Sequence, residues 1–322
     1  MYQVIYKLFG FSYFFTQKLN KIFKLMITNN QIVGDFMVDN RRDTKLKGPN
    51  NKDLPFFTYG IFKPGQIAHS RIKDYVVEKN ETQINYSMKH RDGVPILVPK
   101  EIEIRQTRGY ILYFNDNDLA YDIINQTLSN KLYKWNTITI KDEEVNVLFG
   151  KKHNKGSNYI ESLYEQTTYD GKKDPLFKEG LELIRKNLKS EDFSWETGFF
   201  KLQMNYMLLW SAIDRYCKIR YNKEKEHENR DALAEEEVFK EALIKYADDY
   251  HRSVFNTENL YENKFNKEDP VKCLKYYYTL RCNIVHRGKT SMGDIKMLEK
   301  ATNELLNIFE YILDKTFKDD EE

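Results

Sequence analysis

The spacing of apolar residues changes near Gly171, and this change constrains the fold more than any other feature of the chain. Before it, the segments IEIRQTRGYILYF and WNTITIKDEEVNVLFG alternate as strands do, with a period of two. After it, apolar residues recur at the three- and four-residue intervals typical of helices. At 322 residues, the chain is long enough for two domains. We therefore predict an α+β protein in which residues 1–52 are an N-terminal extension and linker, residues 53–165 form a mixed α/β domain, and residues 166–322 form a helical domain.

Composition narrows the class of protein. Hydrophobic residues make up 41% and charged residues 31%, with only 14 Gly and 7 Pro, which excludes collagen-like and wholly disordered chains. The three cysteines form no CxxC pair, so we predict neither a disulfide scaffold nor a thiolate metal site, no cofactor, and a reducing, cytoplasmic location. The net charge is +2, from 51 basic and 49 acidic residues, so any contact with RNA must depend on a local basic patch.

The N-terminal extension begins with an aromatic and apolar stretch over residues 2–27. Four lysines interrupt it, and its longest uncharged run, Leu8 to Gln17, is about half the length of a membrane span. We therefore expect no stable membrane insertion. The stretch could instead form an amphipathic helix that lies on a membrane or packs on the body of the protein, or it could precede a true start at Met26.

A candidate ligand loop follows the first aromatic strand in LPFFTYGIFKPGQ. The pattern predicts a strand, a loop and then a helix. Gly60 would let backbone N–H groups approach an anion closely, and the following helix N-terminus would favour negative charge. The loop comprises Tyr59, Gly60, Ile61 and Phe62.

These residues carry a resemblance to a known family. FFTYGIFKPG resembles the YGxLxxG loop of the gamma-glutamylcyclotransferase-like fold, and GYILYF resembles its later GxLYxL strand. The resemblance implies a barrel-like mixed α/β domain whose loop backbone holds a carboxylate or phosphate. The position of the family's catalytic glutamate corresponds to Asn125, an amide that cannot shuttle a proton, with Asp118 or Asp122 as possible substitutes. We therefore expect this domain to bind rather than convert, by sensing a ligand or docking a partner, and the loop could also be only a well-packed turn.

The helical domain is predicted from apolar stripes between capping signals. Asp174–Pro175 and Asp269–Pro270 are each typical of a helix start, and residues 222–237 have no wide apolar face and are interpreted as a solvated helical extension or loop. We expect a bundle of about four to six helices. The predicted core residues are Phe177, Leu181, Ile184, Leu188, Phe199, Leu202, Tyr206, Leu209, Ile213, Tyr216, Ile295, Leu298, Leu305, Phe309 and Ile312.

One helix of this domain carries a cation within an apolar pattern. On an ideal helix Val271, Leu274, Tyr278 and Val285 all lie within about 80° of the direction of Arg281, which predicts a guanidinium on the core-facing side. A buried charge is costly unless it is paired. We therefore expect Arg281 either to meet a carboxylate, with Asp214 as the candidate, or to border a cleft that takes a phosphate.

The segment RCNIVHRG resembles the Rx4-6H motif of HEPN domains, in particular the Apea-like subgroup, and WSAIDRYC resembles the HEPN helix that supplies a supporting acidic residue, here Asp214. The resemblance implies a metal-independent endoribonuclease that acts on single-stranded RNA or tRNA. Arg281 would stabilise charge on the scissile phosphate, Asn283 would orient the reacting groups, and His286 would assist 2′-hydroxyl attack or leaving-group protonation, giving a 2′,3′-cyclic phosphate. Cys282 departs from the family, in which a polar residue usually follows the arginine.

The same resemblance implies a homodimer with one composite cleft. Arg281 and His286 project about 140° apart on one helix, and two motif helices packed about a twofold axis would bring them together. Arg287 and Lys289 would provide the local basic patch for RNA.

Taken together, the two resemblances imply a toxin or phage-defence effector in which a small-molecule or phage-derived trigger acts on the first domain and releases cleavage by the second. Two alternatives stay open. The first domain could be a small-molecule cyclotransferase or a ligand-binding unit. The HEPN domain would then only form the dimer or bind RNA. Arg281 and His286 could also be structural, in a scaffold or noncatalytic RNA-binding protein.

Overall fold

The structure is a computed structural model, and it describes residues 46–91, 94–98, 106–151, 168–190, 192–193, 196–248, 252–257, 259–287 and 294–318. Nearly all of the predicted N-terminal extension, including the candidate amphipathic helix, lies outside the described residues. The predicted boundary between residues 165 and 166 lies outside them too. Within the described residues, no helix is long and apolar enough to cross a membrane.

The protein is a mixed α+β structure with a mixed sheet in its first part. The path of paired strands is β2-β5-β1-β7-β4-β3, and β6 pairs β7 in addition, along the whole length of both strands. Strand β1 runs parallel to β7, as does β4, while the other pairs are antiparallel. The strands are β1 (Phe56–Thr58), β2 (Val76–Ile84), β3 (Ser87–Arg91), β4 (Val94–Val98), β5 (Thr107–Phe114), β6 (Tyr133–Ile140) and β7 (Glu143–Gly150), and helix α1 (Asn117–Thr127) follows β5.

Helices dominate the second part of the chain. A 3₁₀ turn (Gly171–Lys173) and a π-helical turn (Leu176–Gly180) lead into it. The helices are α2 (Leu181–Ser190), α3 (Glu196–Tyr221), α4 (Glu226–Glu235), α5 (Glu237–Tyr246), α6 (Pro270–Arg287) and α7 (Ile295–Thr316), and a short hairpin of β8 (Ser253–Phe255) and β9 (Glu262–Lys264) precedes α6.

The predicted apolar stripes of the helical part are confirmed. Every residue in them is buried except Leu188, which is partly buried and packs against the same core. The pattern succeeds because intervals of three and four residues keep the side chains of each stripe on one side of their helix, and that side packs inward.

Two features of the helical part differ from expectation. The hairpin β8–β9 interrupts a segment expected to be purely helical, because its strands have only three residues each and give no readable alternation. Helix α4 is not a solvated extension: Asn229, Leu233 and Ala234 are buried. Small or polar side chains form most of its packed face, so a search for large apolar residues misses it.

The sheet part and the helical part share one hydrophobic core. The same cluster of buried side chains includes Phe62 and Ile67 from the first part and Phe177, Tyr216 and Phe309 from the second. A smaller second core, which includes Phe57, Tyr59, Ile111 and Val147, covers the other face of the sheet.

Arg220, near the end of α3, links the two parts. Its guanidinium donates to the Ile67 carbonyl and to Ser70 Oγ (2.8 Å) in the sheet part, and its Nε donates to Glu236 Oε1 (2.6 Å) between α4 and α5. Arg71 of the sheet part in turn donates a hydrogen bond to the Arg220 carbonyl oxygen (3.0 Å). The turns after β1 and the helices are therefore joined by buried polar contacts as well as by apolar packing.

Candidate functional site

Helix α6 begins as the sequence predicts. The Asp269 carboxylate accepts a hydrogen bond from the Lys272 backbone N–H (3.1 Å), and Pro270 occupies the first helical position. The core-facing side chains of the helix are Cys273, Leu274, Tyr276, Tyr277 and Leu280, all of them buried.

The predicted core-facing stripe around Arg281 is wrong at its ends. Val271 is 39% exposed and Val285 46% exposed, whereas Leu274 is buried and Tyr278 is half-buried. Apolar and tyrosine side chains project from most sides of α6, so their spacing does not show which side packs inward. Arg281 is therefore half-buried on a side that borders solvent, rather than enclosed in the core.

An aromatic contact places Asp214 beside Arg281. Trp210 of α3 packs edge-on against Tyr278 of α6, with ring centroids 5.5 Å apart. Asp214 follows Trp210 by one helical turn and Arg281 follows Tyr278 by three residues, so each lies on the same helix face as its ring. The packing of the two rings thus brings together two charged residues that are 67 positions apart in the chain.

Arg230 of α4 also lies beside these residues, a position that no pattern in the sequence predicts. Its guanidinium carbon lies 3.5 Å from the centroid of the Tyr278 ring, and that of Arg281 lies 5.6 Å from the same centroid. We call Asp214, Arg230, Tyr278 and Arg281 the arginine cluster. Only the fold reveals it, because Arg230 lies in a segment with no wide apolar face.

The charged groups of the arginine cluster have few partners. Arg281 Nε and Arg230 Nη1 are buried and donate no hydrogen bond to any described residue. The nearest carboxylate oxygen to Arg230 is Glu226 Oε2, at 4.0 Å. No ion pair within 4 Å joins Asp214 to either arginine, although all three side chains are described. Unpaired buried donors are uncommon and require a physical explanation.

The pKa of the Asp214 carboxyl reflects its surroundings. Burial raises this pKa from 3.8 to about 6, even though the positive charges of Arg281 and Arg230 act to lower it. The negative charge of Glu226 adds to the rise. The charges of both arginines thus act on the Asp214 carboxyl, although neither arginine forms an ion pair with it.

Asn283 is buried and engaged by the hairpin. Its Oδ1 accepts from the Thr257 N–H (3.0 Å) and from the Thr257 hydroxyl (3.1 Å), and its Nδ2 donates to the Phe255 carbonyl (2.8 Å). These contacts fasten the hairpin to α6. The orienting role implied by the resemblance stays a prediction.

The rest of the motif falls partly outside the structure. His286 and Arg287 belong to the last turn of α6, but their side chains lie outside the described residues, as does Lys289. The structure therefore brings Arg281 and Asp214 together with Arg230 and engages Asn283 with the adjoining hairpin.

The Tyr59 loop is tightly packed. Tyr59, Gly60, Ile61 and Phe62 are all buried, and burial raises the pKa of the Tyr59 hydroxyl. This hydroxyl donates to the Leu148 carbonyl (2.8 Å) and accepts from the Leu97 N–H (3.1 Å). It lies between β4 and β7 and completes their pairing. A Cβ on Gly60 would come within 2.8 Å of the Pro95 side chain, so close packing accounts for glycine there.

The residues expected near a cyclotransferase centre have structural contacts. Asn125 is buried, and its Oδ1 accepts from Trp135 Nε1 (2.9 Å). Asp118 and Asp122 are exposed, and both accept hydrogen bonds from Lys52 Nζ, at 2.7 and 3.2 Å. None of these contacts directs a carboxylate towards the Tyr59 loop.

Comparisons with known proteins do not identify the chain: no family model, no curated protein and no solved structure matches it. In the part of the chain that the structure describes, no group of three or more His, Cys, Asp or Glu side chains is arranged to hold a metal ion. The candidate site therefore consists of the arginine cluster and the end of helix α6.

Proposed function

We propose that the protein is a metal-independent endoribonuclease that uses the C-terminal half of α6. The observation that carries the proposal is the arginine cluster. Arg281, on the helix that also carries His286, and Asp214, on the neighbouring α3, are both half-buried and form no direct ion pair. Perturbed and unpaired ionisable groups of this kind are typical of functional sites.

The proposed reaction is cleavage of an RNA phosphodiester by the neighbouring 2′-hydroxyl. The 2′-oxygen forms a bond to phosphorus, the bond to the 5′-oxygen breaks, and the products are a 2′,3′-cyclic phosphate and a 5′-hydroxyl end. His286 either accepts the proton of the 2′-hydroxyl or donates one to the leaving 5′-oxygen. Arg281 stabilises the negative charge that grows on the phosphate oxygens, and Arg287 and Lys289 contact neighbouring phosphates.

The proposal includes a homodimer. Val271 and Val285 lie exposed on the same side of α6 as the half-buried Arg281, so a second α6 could cover this side. In such a pair, His286 from one copy would approach Arg281 from the other, which resolves the wide angle between them on one helix.

We further propose that the sheet part, which resembles a gamma-glutamylcyclotransferase-like domain, controls a HEPN-like helical part, as in a toxin or phage-defence effector. Contacts support a route between them. Ile67, which follows the Tyr59 loop, accepts from Arg220, and Arg220 binds Glu236 at the end of the helix that carries Arg230. A small-molecule or phage-derived trigger that displaces the loop would act on the arginine cluster through this route.

The test is cleavage of end-labelled total RNA and tRNA in EDTA by the parent protein and by R281A and H286A, with K245Q as a control that changes charge away from the cluster. Each variant is first checked for folding by circular dichroism and for dimerisation by sedimentation. We expect cleavage with cyclic phosphate ends from the parent and from K245Q, and a loss of at least about a hundredfold in R281A and H286A. Equal cleavage by all four proteins would exclude the proposed site.

If no protein cleaves RNA under any activating condition, the proposed nuclease is wrong. A ligand-binding sheet part with a helical part that only dimerises or binds RNA would then be the better interpretation. Retention of RNA affinity by the double variant R281A/H286A would identify a noncatalytic binding protein.

A further inference from the structure

Arg230 and Arg281 differ from other arginines of the helical part in how their charges are satisfied. Arg185, Arg215, Arg220 and Arg252 each contact a carboxylate oxygen at hydrogen-bonding distance. Arg230 and Arg281 donate no hydrogen bond to any described residue, and the carboxylate oxygen of Glu226 lies 4.0 Å from Arg230.

The positions of these two guanidinium groups suit one shared ligand. Both approach the ring of Tyr278, with guanidinium carbons 3.5 and 5.6 Å from its centroid. Stacking on an aromatic ring holds a guanidinium plane in place and leaves its N–H edge available for an acceptor. Arg230 is only 13% exposed, so this orientation is set by packing rather than by solvent.

The missing partner is an anion with several acceptor oxygens. The two nearby carboxyls leave these donors unsatisfied: Asp214 bonds neither arginine, and Glu226 Oε2 lies 4.0 Å from Arg230 Nη1, beyond hydrogen-bonding distance. A phosphodiester has two non-bridging oxygens, and each can accept from a separate arginine. The other guanidinium nitrogens of the two arginines are not buried, so a phosphodiester can reach them from the side of α6 that borders solvent.

We propose that Arg230 and Arg281 together bind one phosphodiester group of the RNA, with Arg230 as a second phosphate-binding residue supplied by α4. The inference rests on the proposed function and extends it, because it assigns a role to a residue outside the motif. Arg281 binds the phosphate from α6, and Arg230 binds the same group from α4. The ring of Tyr278 contacts both guanidinium groups and holds them in position.

The experiment measures binding without cleavage. The probe is a fluorescein-labelled oligouridylate of about ten nucleotides with 2′-O-methyl sugars, which cannot supply the attacking hydroxyl. Fluorescence anisotropy at several salt concentrations gives the dissociation constant and its salt slope for the parent, R230Q, R230K and K245Q. Lys245 of α5 is a matched control, because it also lies over aromatic rings (Tyr246 and Tyr311) and loses the same charge.

We expect R230Q to bind about tenfold more weakly, with its salt slope falling by less than the value of about 0.7 for a whole phosphate contact on a single strand, because Arg281 still pairs with the same phosphate. R230K should keep the parent slope but bind more weakly than the parent, because an ammonium cannot form the planar two-donor contact. K245Q should match the parent in both quantities. Equal affinity and slope for R230Q and K245Q would overturn the proposal.

A second measurement uses the unmodified chain in case R230Q does not fold. Phenylglyoxal modifies accessible arginines, and mass spectrometry follows its rate at Arg230. We expect the oligonucleotide to slow this modification. No protection, or protection by inorganic phosphate at equal ionic strength but not by the oligonucleotide, would overturn RNA as the ligand.

The two proposals can fail separately. If R230Q weakens binding but the parent cleaves no RNA, the phosphate site stands and the nuclease is wrong. If the parent cleaves RNA through His286 while R230Q binds as the parent does, the nuclease stands and the role of Arg230 is wrong.

Discussion

The Asp214 carboxyl lies among groups that act on its protonation in opposite directions. Burial disfavours its charged form, and the two arginines of the cluster favour it. Burial has the larger effect, so the folded protein holds the proton more tightly than the unfolded chain does. This residue consequently links the charge of the candidate site to the stability of the fold.

The consequence can be measured as a pH dependence. Between pH 3.8 and about 6 the folded state binds more protons at Asp214 than the unfolded state, so this group's contribution to the free energy of unfolding falls as the pH rises and is lost above about pH 6. D214N removes the contribution. We therefore expect the stability of D214N relative to the parent to rise by on the order of 2 kcal/mol between pH 4.5 and 7.5. Urea unfolding at a series of pH values gives both curves, and parallel curves would contradict the prediction.

At the scale of elements, Asn283 makes three of the hydrogen bonds between α6 and the hairpin β8–β9, and Thr279 of α6 accepts another from Asn263 (3.1 Å). N283A removes the hydrogen bonds to Thr257 and Phe255 and leaves their polar groups unpaired. We expect a loss of about 2–3 kcal/mol in the free energy of unfolding, measured by urea denaturation. N303A is the control: Asn303 is exposed and bonds only the Glu299 carbonyl, so its loss should be below about 0.5 kcal/mol. Equal stabilities for the two variants would show that the hairpin is held by other contacts.

The pairing of β1 with β5 requires a glycine. A Cβ at Gly109 would lie 2.3 Å from the Thr58 carbonyl oxygen and 2.7 Å from the Phe57 ring, so the backbone would have to move. We expect G109A to lose about 2 kcal/mol or more, measured by thermal or urea unfolding.

Gly180 provides the comparison for G109A. The nearest atom to a Cβ there lies 3.6 Å away, an ordinary contact. G180A should be neutral or stabilise the protein by about 0.5 kcal/mol. A stable G109A would mean that the two strands separate without cost.

Local pattern and tertiary contact explain which elements the sequence predicts. The stripes of α3 and α7 and the cap at Asp269 are readable because each depends on residues within a few turns. The inward face of α6 cannot be predicted in this way, because its own apolar residues lie on most of its sides. Arg230 could not be assigned because its partner Tyr278 is 48 positions away, on a different helix.

At the scale of the whole molecule, Arg220 is the main polar link between the sheet part and the helices. R220M would leave Glu236 without its cation and the Ile67 carbonyl without its donor. We expect a loss of about 3–5 kcal/mol, measured by denaturant unfolding, because Glu236 is largely buried. K240M, which breaks the exposed pair with Glu237, should cost less than about 1 kcal/mol. A small loss in R220M would show that apolar packing alone joins the two parts.

The shared hydrophobic core has a further consequence for cooperativity. Ile67 from the turns after β1 belongs to the same cluster as Phe177 and Tyr216 of the helical part, so neither part can lose its structure without exposing apolar surface on the other. The part of the chain that the structure describes should accordingly melt in one calorimetric transition, with equal van't Hoff and calorimetric enthalpies. A fragment that begins at residue 168 would carry this uncovered apolar surface into water, and we expect it to aggregate rather than fold on its own.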